Sequence, residues 1–105
     1  MVLEVRIYKI EPGKRDAFVE LYDSELLPAQ RELGLDVLGQ FVSVEDDETF
    51  VWLRRFENEE ERQLGWERFY GSDLWKNDLG PRANALMVES DNVLLVTPTP
   101  GSAIQ

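Results

Sequence analysis

From Leu3 to Ile10 the chain alternates. Leu3, Val5 and Ile7 fall on one side of an extended backbone, and Glu4, Arg6, Tyr8 and Ile10 on the other. A period of two marks a strand. Glu11-Pro12-Gly13 closes it, because proline lacks a ladder donor and glycine tolerates a turn. The period then lengthens. Phe18, Leu21, Tyr22, Leu26, Ala29 and Leu33 recur at helical spacing, which predicts a helix over Lys14 to Leu33. Pro28 lies inside that pattern and predicts a kink or short break near Leu27. Gly34 is placed as its end cap.

Val37 to Val44 and Thr49 to Phe56 read as two strands joined by the turn Glu45-Asp46-Asp47-Glu48, a hairpin. Asn58 followed three residues later by Glu61 predicts a capping box and a second helix running to about Tyr70. Gly71-Ser72-Asp73 interrupts it, with Ser72 or Asp73 capping a further helical piece through Leu79. Gly80-Pro81 is expected to end that piece. Arg82 to Met87 is ambiguous and fits a short helical turn. Val88 to Thr97 holds the last strand, and Thr97 to Gln105, with Pro98, Pro100 and Gly101, an extended tail.

The order is β-α-β-β-α-β. Two strand-helix-strand halves imply an α+β domain over residues 1–98 with a tail over 99–105. The sheet is a four-stranded antiparallel, ferredoxin-like one with both helices on one face. The other face should read polar if solvated. It does not: Val51 and Leu53 oppose Phe50, Trp52 and Phe56, and Leu94 and Val96 oppose Val93 and Leu95. An exposed apolar sheet face of several hundred square ångströms marks an interface. A homodimer through this face is therefore expected, in preference to cover by a short tail.

Composition narrows the chemistry. The 105 residues contain no cysteine and no histidine. Disulfides, thiol catalysis and thiolate metal sites are excluded, as are the commonest general base, zinc ligand and haem ligand. Eleven Lys plus Arg face 21 Asp plus Glu, a formal net charge of −10. Such a surface repels phosphate backbones and anionic membranes, so neither nucleic acid nor membrane is an expected partner. No apolar run is long enough to span a bilayer and Met1 to Ile10 lacks a signal-peptide core, so a cytoplasmic location is expected.

Arg6-x-Tyr8, Pro12-Gly13-Lys14, Leu27-Pro28, Gly34, Val37-Leu38-Gly39-Gln40-Phe41, Val51-Trp52-Leu53-Arg54-Arg55-Phe56 and Asp73-Leu74-Trp75 follow one another along the chain. In that order and spacing they resemble the NIPSNAP family of the dimeric α+β-barrel superfamily, from Leu3 to about Pro98. The resemblance implies a homodimer in which two four-stranded sheets face each other as a barrel. It implies no settled chemistry. NIPSNAP proteins are largely of unassigned function, and the wider superfamily holds cofactor-free monooxygenases, haem proteins, lactone isomerases and stress-response proteins. Fold does not choose among these.

Residue chemistry does some choosing. Haem-binding relatives use an axial histidine, which this chain lacks. Tyr8, Tyr22 and Tyr70 offer only the rarer tyrosine ligation, so no cofactor is expected. Neither acidic cluster predicts a metal site. Glu45 to Glu48 lacks the glycine and ligand spacing of a calcium loop and reads as a solvated turn. Glu57, Glu59, Glu60 and Glu61 suit a helix N-terminus. Arg6 and Tyr8 share one face of a central strand, and Trp52 and Arg54 one face of another. If the two faces coincide, these residues converge and would suit a flat anionic or phenolic ligand. The other reading, and the preferred one, is that each arginine pairs with an acid, such as Glu4 or a carboxylate of the partner chain, and the aromatics fill the barrel. Trp66, Phe69, Tyr70 and Trp75 either pack on the sheet or line a pocket between sheet and helices, with Asn77 and Asn84 as polar handles. Arg6, Tyr8, Trp52, Arg54, Trp66, Tyr70 and Trp75 are the candidate ligand-binding residues.

Two functions follow as expectations. One is binding of a small aromatic or lactone-like molecule, with chemistry of the cofactor-free monooxygenase or isomerase type. The other is a non-catalytic dimer acting through protein–protein contacts.

Overall fold

Strand β1, Val2–Ile10, runs inside the sheet, its residues alternating between a buried and a half-buried face. The computed structural model describes residues 1–105. β1 pairs antiparallel with β3, Thr49–Phe56, on one side and with β4, Met87–Val96, on the other. β2, Asp36–Val42, pairs antiparallel with β3, giving the order β2-β3-β1-β4. This is the ferredoxin-like arrangement. Glu4, Arg6, Tyr8 and Ile10 are buried on the same face as Phe50, Trp52, Arg54 and Phe56. That face lies under the helices, so the faces carrying Arg6-Tyr8 and Trp52-Arg54 do coincide.

The first helical stretch is α1, Arg15–Leu21, a π turn over Tyr22–Leu26, and α2, Leu27–Glu32. The expected kink or short break near Leu27 takes the form of a π turn, and the chain stays helical through it. In an α-helix the Pro28 ring would meet the carbonyl of Ser24, four residues back. The wide turn changes the hydrogen bonding there, with Leu27 N–H donating to the Tyr22 carbonyl five residues earlier. The helix continues instead of stopping. It ends in a Schellman motif, with Gly34 at φ +80°. Gly34 N–H donates to Arg31 O at 3.0 Å and Leu35 N–H to Gln30 O at 3.1 Å.

The second half repeats the device. Helix α3, Glu59–Tyr70, starts at Asn58, whose Oδ1 accepts from Glu61 N–H at 2.8 Å. Only this arm of the predicted box forms. Ser72 Oγ accepts from Trp75 N–H at 3.2 Å and caps the next helical piece. That piece passes through a π turn, Trp75–Leu79, into α4, Gly80–Asn84. Gly80-Pro81 therefore does not end it. Pro81 would face the Asn77 carbonyl, and Gly80 N–H reaches back five residues to Trp75 O.

Strand β2 stops at Val42, two residues short of the sequence reading. The following turn is organised by Asp46, which accepts from Glu48 N–H and Thr49 N–H, each at 2.8 Å. These bonds hold its carboxyl below the usual range. Arg15 Nη1 donates to Asp46 O at 2.7 Å and ties the turn to α1. The acidic residues here thus build a hairpin. No group of three or more acidic side chains is placed to hold a metal ion. No helix is long and apolar enough to cross a membrane.

The face of the sheet away from the helices is apolar. Leu3, Val5, Ile7, Val51 and Leu53 are half-buried there. Phe41, Leu94 and Val96 are 54%, 52% and 40% exposed. The tail does not cover them.

Candidate functional site

Four carbon-rich rings and one guanidinium meet where β1 and β4 pass beneath the second helical stretch. Their placement follows from local structure. Register pairs Arg6 with Trp52 and Glu4 with Arg54 across β1 and β3. The 3.6 period of α3 sets Trp66 and Tyr70 one turn apart on its sheet-facing side, ring centroids 4.6 Å apart. The π turn after Ser72 brings Trp75 edge-on to Tyr70 at 5.0 Å. Gly80 makes room for it. A Cβ there would lie 2.6 Å from Trp75 O and 3.0 Å from the indole Cε2.

The result is a cleft of about 380 Å³ whose walls include Arg6, Tyr8, Trp66, Tyr70, Trp75 and Asn84. Met87, Ser90, Asp91 and Val93 of β4 complete it. A second space of only about 20 Å³ lies deeper, against Trp52, Tyr22 and Gln30. Tyr8, Tyr70, Trp75 and Met87 border both spaces. They form a partition one side chain thick. A larger groove of about 430 Å³ near Arg55, Glu61 and Arg68 is polar and open. It has no buried donor left without a partner.

Beneath the cleft runs a charged layer centred on Glu4, which is fully buried. Glu4 Oε1 accepts from Arg54 Nε at 2.7 Å. Oε2 accepts from Arg62 Nε at 2.6 Å and from Trp66 Nε1 at 2.8 Å. Burial alone would raise the Glu4 pKa. The Arg54 charge and the bonds from Arg54 and Trp66 outweigh it and hold the carboxyl below its usual range. Arg54 is completed by Gln30 Oε1 at 2.8 Å and Tyr70 Oη at 3.3 Å. Gln30 in turn donates to Tyr22 Oη at 3.1 Å.

Arg6 is served least. Its Nε donates to Tyr8 Oη at 3.2 Å. Its Nη1 lies 3.6 Å from Glu4 Oε1, is sealed from solvent and has no hydrogen-bond partner. Trp52 Nε1, on its register partner, is the other buried side-chain donor without an acceptor. The Arg6 guanidinium carbon sits 5.0 Å from the Trp66 ring and 5.3 Å from the Trp52 ring. Burial lowers the affinity of Arg6 for its proton, but Tyr8, Tyr70 and Glu4 more than restore it. The group is a fixed cation. Burial pushes the phenols of Tyr8 and Tyr22 above their usual range, so both stay protonated near neutrality.

Of the seven candidates read from sequence, Arg6, Tyr8, Trp66, Tyr70 and Trp75 border the cleft. Trp52 lies behind the partition. Arg54 is enclosed by Glu4, Gln30 and Tyr70 and does not reach the cleft. Asn84 is in the wall, whereas Asn77 is exposed elsewhere. Glu4 pairs with Arg54, as the ion-pair reading of the sequence had it, but that reading missed Arg62, Gln30 and the convergence of three guanidiniums on Glu4. The one signal was a carboxylate at a core-facing strand position, next to Arg6 on the same face.

The sequence profile of the NIPSNAP family matches residues 3–103. Among solved structures, a NIPSNAP family protein from Agrobacterium tumefaciens is similar at 21% identity. It covers 99% of this chain and 98% of its own, with a TM-score of 0.90. An uncharacterized NIPSNAP domain protein from Burkholderia xenovorans is 19% identical, covering 97% and 98%, with a TM-score of 0.87. An antibiotic biosynthesis monooxygenase is 22% identical, covering 95% and 100%, with a TM-score of 0.71. No curated protein matches the chain at a significant level. At these identities the structures speak for the fold alone, but the profile spans nearly the whole chain, and the protein belongs to the NIPSNAP family.

Proposed function

We propose that this NIPSNAP protein binds a small aromatic or lactone-like molecule between its sheet and helices, and that it does so as a homodimer. One observation carries the reading. The cleft of about 380 Å³ is walled by four aromatic rings and has a buried, fixed cation in its wall. Ligand sites begin at roughly 300 Å³ and are mostly apolar with a few placed polar groups. A filled interior would have spoken for a purely structural module.

The chemistry that fits is of the cofactor-free oxygenase or isomerase type, whose first step removes a substrate proton. With no histidine in the chain, the cleft offers Asp91 as its carboxylate. Tyr8, held neutral by burial, serves to orient and to donate a hydrogen bond. The fold similarity to an antibiotic biosynthesis monooxygenase agrees with this chemistry. Dimerisation rests on the apolar outer sheet face, where Phe41, Leu94 and Val96 are exposed.

Trp66 and Trp75 border the cleft and Trp52, the third tryptophan of the chain, lines the space behind it, so tryptophan emission reports occupancy. Titration with 2-naphthol should change it saturably, and Trp75→Ala should weaken the binding at least tenfold. An unchanged spectrum, with no thermal stabilisation by any of a set of bicyclic phenols and lactones, would overturn the reading.

A further inference from the structure

The charges under the cleft do not balance. Arg6, Arg54 and Arg62 bring three guanidiniums. Glu4, shared by all three, and Glu59, paired with Arg62 at 2.9 Å, bring two carboxylates. One positive charge is left over, in a protein whose formal net charge is −10. Asp91 stands in the cleft wall but is exposed and makes no ion pair. The surplus falls on Arg6, whose only hydrogen bond goes to the neutral Tyr8 phenol. A guanidinium that is 5% exposed should not leave a sealed Nη1 without an acceptor, because an unmet buried charge is costly. Its register partner Trp52 has a buried indole N–H near the Tyr8 phenol that makes no well-formed hydrogen bond.

A buried guanidinium in the wall of an aromatic-lined cleft, bonded to one neutral phenol and sharing its only carboxylate with two other arginines, describes a missing acceptor. Resting on the small-molecule reading above, we infer that the ligand is a flat aromatic monocarboxylate. Its carboxylate accepts from Nη2 of Arg6, the terminal nitrogen that is not sealed, and its ring lies among Trp66, Tyr70 and Trp75. A single surplus charge calls for one negative charge. A planar guanidinium favours a planar oxyanion. The stack of Trp66 and Trp52 about Arg6 keeps the fork from turning away.

The test compares 2-naphthoate with its neutral isostere 2-naphthamide on the intact protein, by calorimetry and tryptophan emission. The naphthoate should bind at least tenfold more tightly. Arg6→Met should abolish that preference and Arg6→Lys should keep part of it. Comparable binding of the two compounds would overturn the carboxylate assignment and leave small-molecule binding standing. Binding of neither, with no binding of 2-naphthol, would overturn both. A preference that survives in Arg6→Met would place the anion elsewhere and overturn the role of Arg6. Should the Arg6 variants fail to fold, the comparison on the unaltered protein still decides.

Discussion

Glu4 carries more of the interior than any other single side chain. Three guanidiniums and an indole N–H converge on its two oxygens. Breaking a buried ion pair by removing one partner costs about 3–5 kcal/mol, because the charges left behind are unmet. Glu4→Gln should lower stability by about that amount in urea denaturation, with the midpoint moving and the slope unchanged. The same residue sets an acid limit. Its carboxyl is held below the ordinary value of 4.5 in the folded protein. Its contribution is therefore complete above pH 4.5 and lost as pH falls through the lower folded value. Unfolding free energy measured from pH 6 to pH 2 should decline in that window, and should decline less in Glu4→Gln. A flat profile would show that Glu4 is not the group that titrates.

Among the elements, the two π turns matter most for function. Each is followed within two residues by a proline, Pro28 or Pro81, and each begins with an aromatic residue at the interior, Tyr22 or Trp75. The extra width absorbs the proline and swings that aromatic toward the sheet. Pro28 and Gly80-Pro81 were visible as punctuation, but sequence reading turned them into a kink or short break and a stop. Proline's effect depends on which carbonyl it meets, and an i to i−5 turn removes the conflict without ending the helix. Trp75 is seated against Gly80 in consequence. Gly80→Ala should force the Trp75 turn outward, cost about 1–3 kcal/mol of stability and shift tryptophan emission. It should also weaken 2-naphthol binding. Unaltered emission and stability would mean that the turn yields freely.

For the whole molecule, the question is what lies against the outer sheet face. Leu94 and Val96 of β4 and Phe41 of β2 stand exposed at opposite sides of the sheet, with half-buried aliphatics between them. A contiguous apolar face of this kind is a liability for a lone chain. In solution the protein should have twice the chain mass of 12.2 kDa by light scattering. Leu94→Glu, which sets a charge into this apolar face, should release monomers. A wild-type mass of one chain would end the dimer proposal. The cleft lies on the helix-covered face, so a monomeric variant that still binds ligand would separate assembly from binding.

Much of this architecture was already legible along the chain. Alternation in β1 and β3 put Arg6 with Tyr8 and Trp52 with Arg54, because strand geometry permits only two faces, but the pairing register decided that the two faces coincide under the helices. The βαββαβ order left few ways to pair the strands, and Gly34 and Asn58 marked helix ends through chemistry local to a few residues. The division of labour among the arginines was not legible. Arg54, Arg62 and Trp66 reach Glu4 across 50, 58 and 62 positions of sequence. Nothing in a one-dimensional pattern ranks such partners. Only the packed structure decided that Arg54 would be enclosed and Arg6 left with free donors beside a cleft. A carboxylate has two oxygens, and the fold brought three guanidiniums to it.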